Sequence, residues 1–421
     1  MKRSKIVIGT VGAVLLLLIS IFAWQRFTDS NRLRPVSDEE LGEAIYLAAQ
    51  YLEKQIEADG RFVYRVNANS KIEVPDKYNV LRHAGAIYSL AMYLKAYPNE
   101  DFKAKTLQAT KYLIDNSLGP VRAAPGTSTL WSTPEILRDP KFRPQSKLGG
   151  AGLGLVALVS SYHLDPSVIA KEKLIEVGRF LEFMQMKDGN FHSKYFPDKE
   201  GRSNAWVSLY YPGEAALGAV MLYAIDPDVR WLTISAKGLS YLANKRKGQG
   251  TNVEADHWAL LATKGLLYHL DEFEDPPAPR EMLIEHGKQI VRKMLEDFDS
   301  VSSRSVAYGG STRDGRTTPT ATRLEGLLAA YEFLPDSEAE LKAEVLRICE
   351  LGIAFLIKHQ IRQEGPFKGA IPRAIGPVKK GKDRKSIRQF NQRATEIRID
   401  YVQHALSAML QLRDIRQKAR P

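Results

Sequence analysis

Apolar residues recur along most of the chain at spacings of three and four, in stretches separated by short polar breaks. Twelve stretches stand out: 37–57, 82–97, 103–116, 148–163, 168–186, 213–225, 229–245, 256–270, 280–298, 320–334, 338–360 and 399–414. Each predicts a helix. Alternating apolar segments joined by Asn-Gly or Asp-Gly turns are scarce, so the fold class is all-α. The odd members are amphipathic. The first starts with Ser37 and an acidic turn, Asp38-Glu39-Glu40, then places Leu41, Ile45, Leu47, Ala48, Tyr51 and Leu52 on one stripe. The even members are apolar nearly all round and rich in small residues, as in Leu148-GGAGLGLVALVSS-Tyr162, Gly213-EAALGAVMLYA-Ile225 and His257-WALLATKGLLYH-Leu270. A helix that is apolar on every face is buried on every face.

Six outer helices alternating with six inner ones predict an (α/α)6 toroid over residues 37–414, one hairpin for every sixty residues or so. An open superhelical array shows the same alternation; the count of six pairs favours closure.

A second, finer repeat carries a resemblance. Gly178-Arg-Phe180-Leu181-Glu-Phe-Met-Gln185-Met-Lys-Asp188-Gly189-Asn-Phe191 resembles the repeat of squalene-hopene cyclases and their toroid relatives: a small residue, an aromatic-aliphatic pair, Gln, then Gly-x-aromatic. It recurs as Tyr51-Leu52 through Gln55, Asp59-Gly60 and Phe62, and as Gly352, Phe355-Leu356 and Gln360 followed by Gly365-Pro-Phe367. Each copy ends an outer helix, where Gln can satisfy free carbonyls, Gly takes the positive φ needed to leave the helix, and the aromatic packs back. The resemblance implies an α/α toroid, a group that includes terpenoid cyclases, prenyltransferase β subunits, complement thioester domains, glycosidases and polysaccharide lyases. The chain lacks the Asp-x-Asp-Asp acid of the cyclases, and Cys349 lies mid-helix, away from any match to the prenyltransferase zinc set.

The N-terminus reads differently. Residues 1–5 are a basic cytoplasmic end, and 6–24, IVIGTVGAVLLLLISIFAW, are an uncharged run long enough to cross a hydrocarbon core. The sequence predicts a transmembrane signal anchor there, a linker over 25–36, the toroid over 37–414 and a tail over 415–421, with the body on the periplasmic or extracellular side of the membrane.

Composition narrows the classes further. With 44% hydrophobic residues and a single cysteine in 421 residues, neither a disordered chain nor a disulfide or zinc-finger scaffold fits. The formal charge of +11 is concentrated: Lys368–Arg398 holds ten Lys/Arg against two Asp/Glu. No second basic stripe or RNA-binding aromatic motif accompanies it, so nucleic acid is not an expected partner. The segment reads as a solvated loop, a clamp for an anionic substrate, or a contact with acidic lipid.

In a toroid the inner helices run in one direction, and their positive dipole ends open onto a common funnel. Charge gathers at those starts: Arg82 and His83, Glu214 after Tyr210 and Tyr211, Asp256 before His257 and Trp258, Arg323 and Glu325, and Arg398, Asp400, Tyr401 and His404. Glu214, Asp256, Asp400 and Glu325 are the candidate catalytic carboxylates. Arg82, His83, Tyr210, Tyr211, His257, Trp258, Arg323, Arg373, Arg398, Tyr401 and His404 are the candidate substrate-binding residues. Paired carboxylates with flat rings suit glycoside hydrolysis, which needs one acid for the leaving oxygen and one carboxylate for water. A uronate lyase or epimerase instead needs a base beside a carboxylate held by arginine. The sequence predicts an enzyme of a polysaccharide or glycoconjugate, neutral or anionic, with hydrolysis first and lyase or epimerase chemistry second; a non-catalytic glycan-binding scaffold of the envelope is the other class. No cofactor is expected, although His83, His257 and His404 with Asp256 or Asp400 offer an alternative metal set.

Overall fold

The computed structural model describes residues 33–198 and 201–420; the basic end, the apolar run 6–24 and the linker up to residue 32 lie outside them. The twelve expected helices form in order: α1 (Asp38–Lys54), α2 (Val80–Ala96), α3 (Glu100–Ser117), α4 (Leu148–Leu164), α5 (Lys171–Met184), α6 (Tyr211–Tyr223), α7 (Val229–Arg246), α8 (His257–Tyr268), α9 (Arg280–Asp299), α10 (Thr317–Phe333), α11 (Ala339–Lys358) and α12 (Ile399–Lys418). The last runs on through the expected tail. Among the described residues no helix is long and apolar enough to cross a membrane.

The even helices close a ring. α2 packs on α4, α4 on α6, and so on to α12, which returns to α2 and also covers α1. An open array would leave its first and last pairs apart, so the fold is an (α/α)6 toroid. Small residues let the inner helices meet at backbone distance: a Cβ on Gly152 would lie 2.6 Å from the Glu214 carbonyl, so α4 and α6 touch main chain to main chain.

The outer ring is held by the finer repeat. Gly60, Gly189 and Gly369 all have φ near +90°, and each lies against a main-chain carbonyl in the middle of an outer helix: Gln108 on α3, Lys237 on α7 and Leu47 on α1. The third contact joins the end of the ring to its beginning. Gln185 donates to Ile234 on α7 and Gln360 to Ala44 on α1, each at 2.9 Å, so these glutamines tie a helix end to its neighbour as well as to their own turn. In the third copy the positive φ beside the helix belongs to Gly369 rather than to Gly365, whose φ is positive too but where a Cβ would meet only open space. At the other end of α1, Ser37 and Glu40 form the reciprocal cap their spacing predicts, worth about 0.5–2 kcal/mol.

Short strands are the feature the hydrophobic pattern missed. They are β1 (Arg65–Asn67), β2 (Leu118–Pro120), β3 (Ser128–Ser132), β4 (Gln145–Lys147), β5 (Lys194–Phe196), β6 (Gly201–Ser203) and β7 (Glu396–Arg398). β1 pairs antiparallel with β7, and β2 to β6 form one antiparallel sheet. Runs of three to five residues are too short to show alternation. They organise the connections into the inner helices: β4 leads directly into α4, and β7 into α12. The basic segment is not a bare loop either, since Arg384–Ala394 is helical and capped by Asp383.

Candidate active site

The inner-helix starts converge, as their common direction requires, on a funnel of about 700 Å³. All six contribute lining residues, among them Arg82 from α2, Lys147 before α4, Tyr211 and Glu214 from α6, His257 and Trp258 from α8, Arg323 from α10, and Asp400 and His404 from α12. Trp206 stands at the wall half exposed, with the Lys194 ammonium 4.9 Å from its ring centre, a flat surface of the kind that stacks on a sugar ring.

Glu214 is the lining carboxylate without a salt-bridge partner. Pro212 and Gly213 bring it onto the first turn of α6, and its side chain lies against Gly149, where any Cβ would collide with Oε2. That oxygen is buried without a hydrogen-bond partner. Burial, reinforced by the charge of Asp256 and only partly offset by Arg82, pushes the carboxyl up to about 8. It is a protonated acid at neutral pH.

Beside it two histidines meet. His257 and His404 have ring centres 5.4 Å apart and nearly perpendicular planes, with Tyr210 edge-on to His257. His404 Nδ1 is 2.6 Å from Glu325 Oε2, while His257 Nε2 is 3.8 Å from the same oxygen. Glu325 is fully buried behind the imidazoles instead of projecting into the funnel as expected, and burial raises its pKa while His404 draws it down. The Glu325 contact holds the imidazole of His404 by Nδ1. Burial, and then the neighbouring His404 and Arg323, hold His257 well below the usual range, so it is neutral. The donor atoms of His257, Glu325 and His404 lie within 4.8 Å of one another, a set able to hold a divalent ion; it draws on Glu325 rather than on the carboxylates predicted for such a site.

Asp400 does not stand free. It accepts from Arg82 Nε at 3.0 Å and from Arg398 Nε and Nη2 at 2.8 and 2.7 Å, and despite burial the two guanidiniums hold it down to about 2. It is a fixed anion that aims two arginines. Arg323 is held likewise by Asp297, and Tyr401 donates to Glu396 under the Arg398 guanidinium. Arg373 stacks on Phe390 and keeps a buried Nη1 with no partner.

Two expected residues point elsewhere. Asp256 caps α8 through Ala259 N at 3.1 Å and accepts from the buried Arg246 at 3.0 Å, so its carboxylate is consumed in structure. His83 is enclosed behind α2 between the Tyr78 hydroxyl and the Ala109 carbonyl, at 2.6 and 2.8 Å, and burial lowers it to about 4. It belongs to neither funnel nor metal set. Conversely, Lys147, Arg316 and Arg393 line the funnel although none was singled out. Lys147 and Arg316 stand immediately before inner helices, and Arg393 lies in the last turn of the polar Arg384–Ala394 helix, positions to which the apolar period gives no signal.

No protein-family model matches the chain, and no curated protein matches it in sequence. Solved structures do match. A cellobiose 2-epimerase from Spirochaeta thermophila superposes with a TM-score of 0.60 at 13% identity, covering 90% of this chain and 96% of that one. An unsaturated glucuronyl hydrolase specific for heparin gives 0.61 at 10% identity, covering 90% and 99%. A GH76 α-mannanase from Bacteroides thetaiotaomicron gives 0.57 at 10%, covering 90% and 96%. The shared property is the toroid. At such identities the chemistry has to be argued from the funnel itself.

Proposed function

We propose that the chain is a carbohydrate-active enzyme that moves a proton at a carbon of an anionic saccharide, as a uronate epimerase or lyase does. The observation that carries this reading is the His404–Glu325 pair facing neutral His257 in a funnel whose cations outnumber its carboxylates. Seven Lys and Arg side chains line the funnel against Glu214 and Asp400. Arg373 Nη1 is a donor awaiting an acceptor, and Lys147, lowered by burial and by Lys194 and Arg82, has no carboxylate beside it among the described residues. Both favour a substrate carboxylate. His404 Nε2 takes the proton from the carbon next to that carboxylate, and the arginines stabilise the charge that develops there. In epimerisation Glu214, which carries a proton at neutral pH, returns one to the carbon and becomes the carboxylate; in elimination the same carboxyl gives its proton to the leaving glycosidic oxygen.

Hydrolysis is the second reading, and Glu214 favours it, since a carboxyl protonated at pH 7 suits protonation of a glycosidic oxygen. Its water-activating partner would then be the histidine pair, because Asp256 and Asp400 are both committed to arginines. The open funnel with an unpartnered Glu214 is a poorer fit to a non-catalytic scaffold, whose charges would be mutually paired. The named activities of the structural neighbours, epimerisation and glycoside hydrolysis, are compatible with either enzymatic route.

Incubation with polygalacturonate, alginate and heparin in D2O separates the routes. Deuterium at a sugar carbon marks epimerisation, unsaturated uronate absorbance marks elimination, and new reducing ends with neither mark hydrolysis. Loss of activity on chelation would reassign His257, Glu325 and His404 to a metal. The apolar run 6–24 supports anchoring of the toroid at the outer membrane–water interface of the cytoplasmic membrane; deleting residues 1–30 should move the protein from the membrane to the soluble fraction.

A further inference from the structure

A second depression of about 660 Å³ lies beside the funnel, between the strand and loop from Arg65 to Pro75 and the end of the Arg384–Ala394 helix. The two cavities share Arg393. Arg393 donates to Glu396, which also receives the Tyr401 hydroxyl, so a rigid polar ridge separates groove from funnel. Arg65, in the groove, is directly opposite Arg398, in the funnel, across the β1–β7 pair. Guanidiniums therefore continue over the ridge from one cavity to the other.

The segment leading into that helix, and the helix's first turns, add charge with Asp383 as the one acid among them. Lys379, Lys380, Lys382, Arg384, Lys385 and Arg388 are all exposed, and none has a salt-bridge partner among the described residues. Like charges crowded within ten residues repel one another, and a polyanion laid along them relieves that repulsion. An acidic membrane is a weaker fit. Interfacial helices present an apolar face, whereas Ile387 packs towards Gly381 and Phe390 lies against Arg373 of the funnel wall, leaving no large apolar side chain of this helix exposed.

We infer that the substrate is a polymer: an anionic glycan chain that fills the funnel, crosses Arg393 and continues through the groove along the basic segment 379–388. This extends the anionic-saccharide reading above and rests on it. A single sugar unit engages the funnel cations alone, whereas a longer chain also engages the segment, so affinity rises with length and falls with salt.

The test is binding by the full-length protein of a heparin disaccharide and a heparin dodecasaccharide, with neutral laminarin as control. The quadruple variant Lys379→Gln, Lys380→Gln, Lys382→Gln, Arg384→Gln changes exposed side chains, so an unchanged melting temperature verifies its fold. The expected result is a dodecasaccharide affinity lowered by about tenfold or more, with disaccharide affinity held within about twofold. Equal losses for both lengths, or none for either, overturn the groove while leaving the funnel reading intact. Lost binding to phosphatidylserine vesicles with glycan binding unchanged overturns it in favour of a membrane contact. If the wild-type protein binds neither anionic ligand, the anionic-saccharide reading itself fails, and this extension with it.

Discussion

Replacing Glu214 by glutamine tests the site through stability and turnover together. The carboxyl ionises from an ordinary 4.5 in the unfolded chain but at about 8 in the fold. Its folded form thus holds a proton that the unfolded form releases, and the fold loses stability as pH rises from the lower value to the higher. Each pH unit in that window is worth about 1.4 kcal/mol, so between pH 4 and pH 7 this one group removes about 3 kcal/mol, and about 5 kcal/mol once pH exceeds 8. The glutamine variant has no such proton. An amide set against Gly149 adds a penalty of about 1–3 kcal/mol for unpaired donors, but that penalty does not change with pH. Denaturant unfolding of both proteins at several pH values should therefore give curves that differ at low pH by that constant penalty, with the wild type above, and that cross as pH rises because only the wild type falls. In turnover the variant should lose on the order of 10²-fold or more, and wild-type activity should decline about tenfold per unit above pH 8 as the acid ionises. Parallel stability curves would refute the protonated Glu214, and full turnover in a folded variant would remove it from the chemistry.

Three further outcomes follow from the same geometry. Gly149→Ala places a methyl group where the Glu214 carboxyl lies; the toroid should still fold, turnover should fall about as far as in the glutamine variant, and the alkaline limb of the pH profile should shift down as the carboxyl is pushed towards water. Asp400→Asn leaves Arg82 and Arg398 without their shared anion and should cost about 3–5 kcal/mol in denaturant unfolding near pH 7. Since Asp400 is depressed from 3.8 to about 2, its stabilising contribution is complete above 3.8 and should vanish as pH falls through 2. Asp256→Asn weakens the α8 cap and the Arg246 pair, so it should lower the melting temperature while keeping turnover within about tenfold of wild type, unlike a change at a group that carries protons; a 10²-fold loss there with a normal melt would return Asp256 to the catalytic set.

The helices and their ring were legible because helical burial is periodic. An inner helix must be apolar all round and an outer one striped, and that difference is written into α4 or α6 against α1 residue by residue. The turns that run from a helix-ending Gln to Gly-x-aromatic were legible for a related reason: a positive φ beside a neighbouring helix admits only glycine, as Gly60 and Gly189 show. Charge at the inner-helix starts could also be seen, since those starts must share one mouth. Partnership could not be seen. Whether a carboxylate is an acid, a base or an anchor depends on which side chain it meets across the ring, and sequence separation hides that: Arg82 reaches Asp400 from 318 residues away, and Glu325 reaches His404 from 79. Asp256 and Glu214 look alike as first-turn acids. Arg246 neutralises one, and the close approach of α4 leaves the other dry and unpaired, which is a fact of packing distance and desolvation that no local pattern encodes.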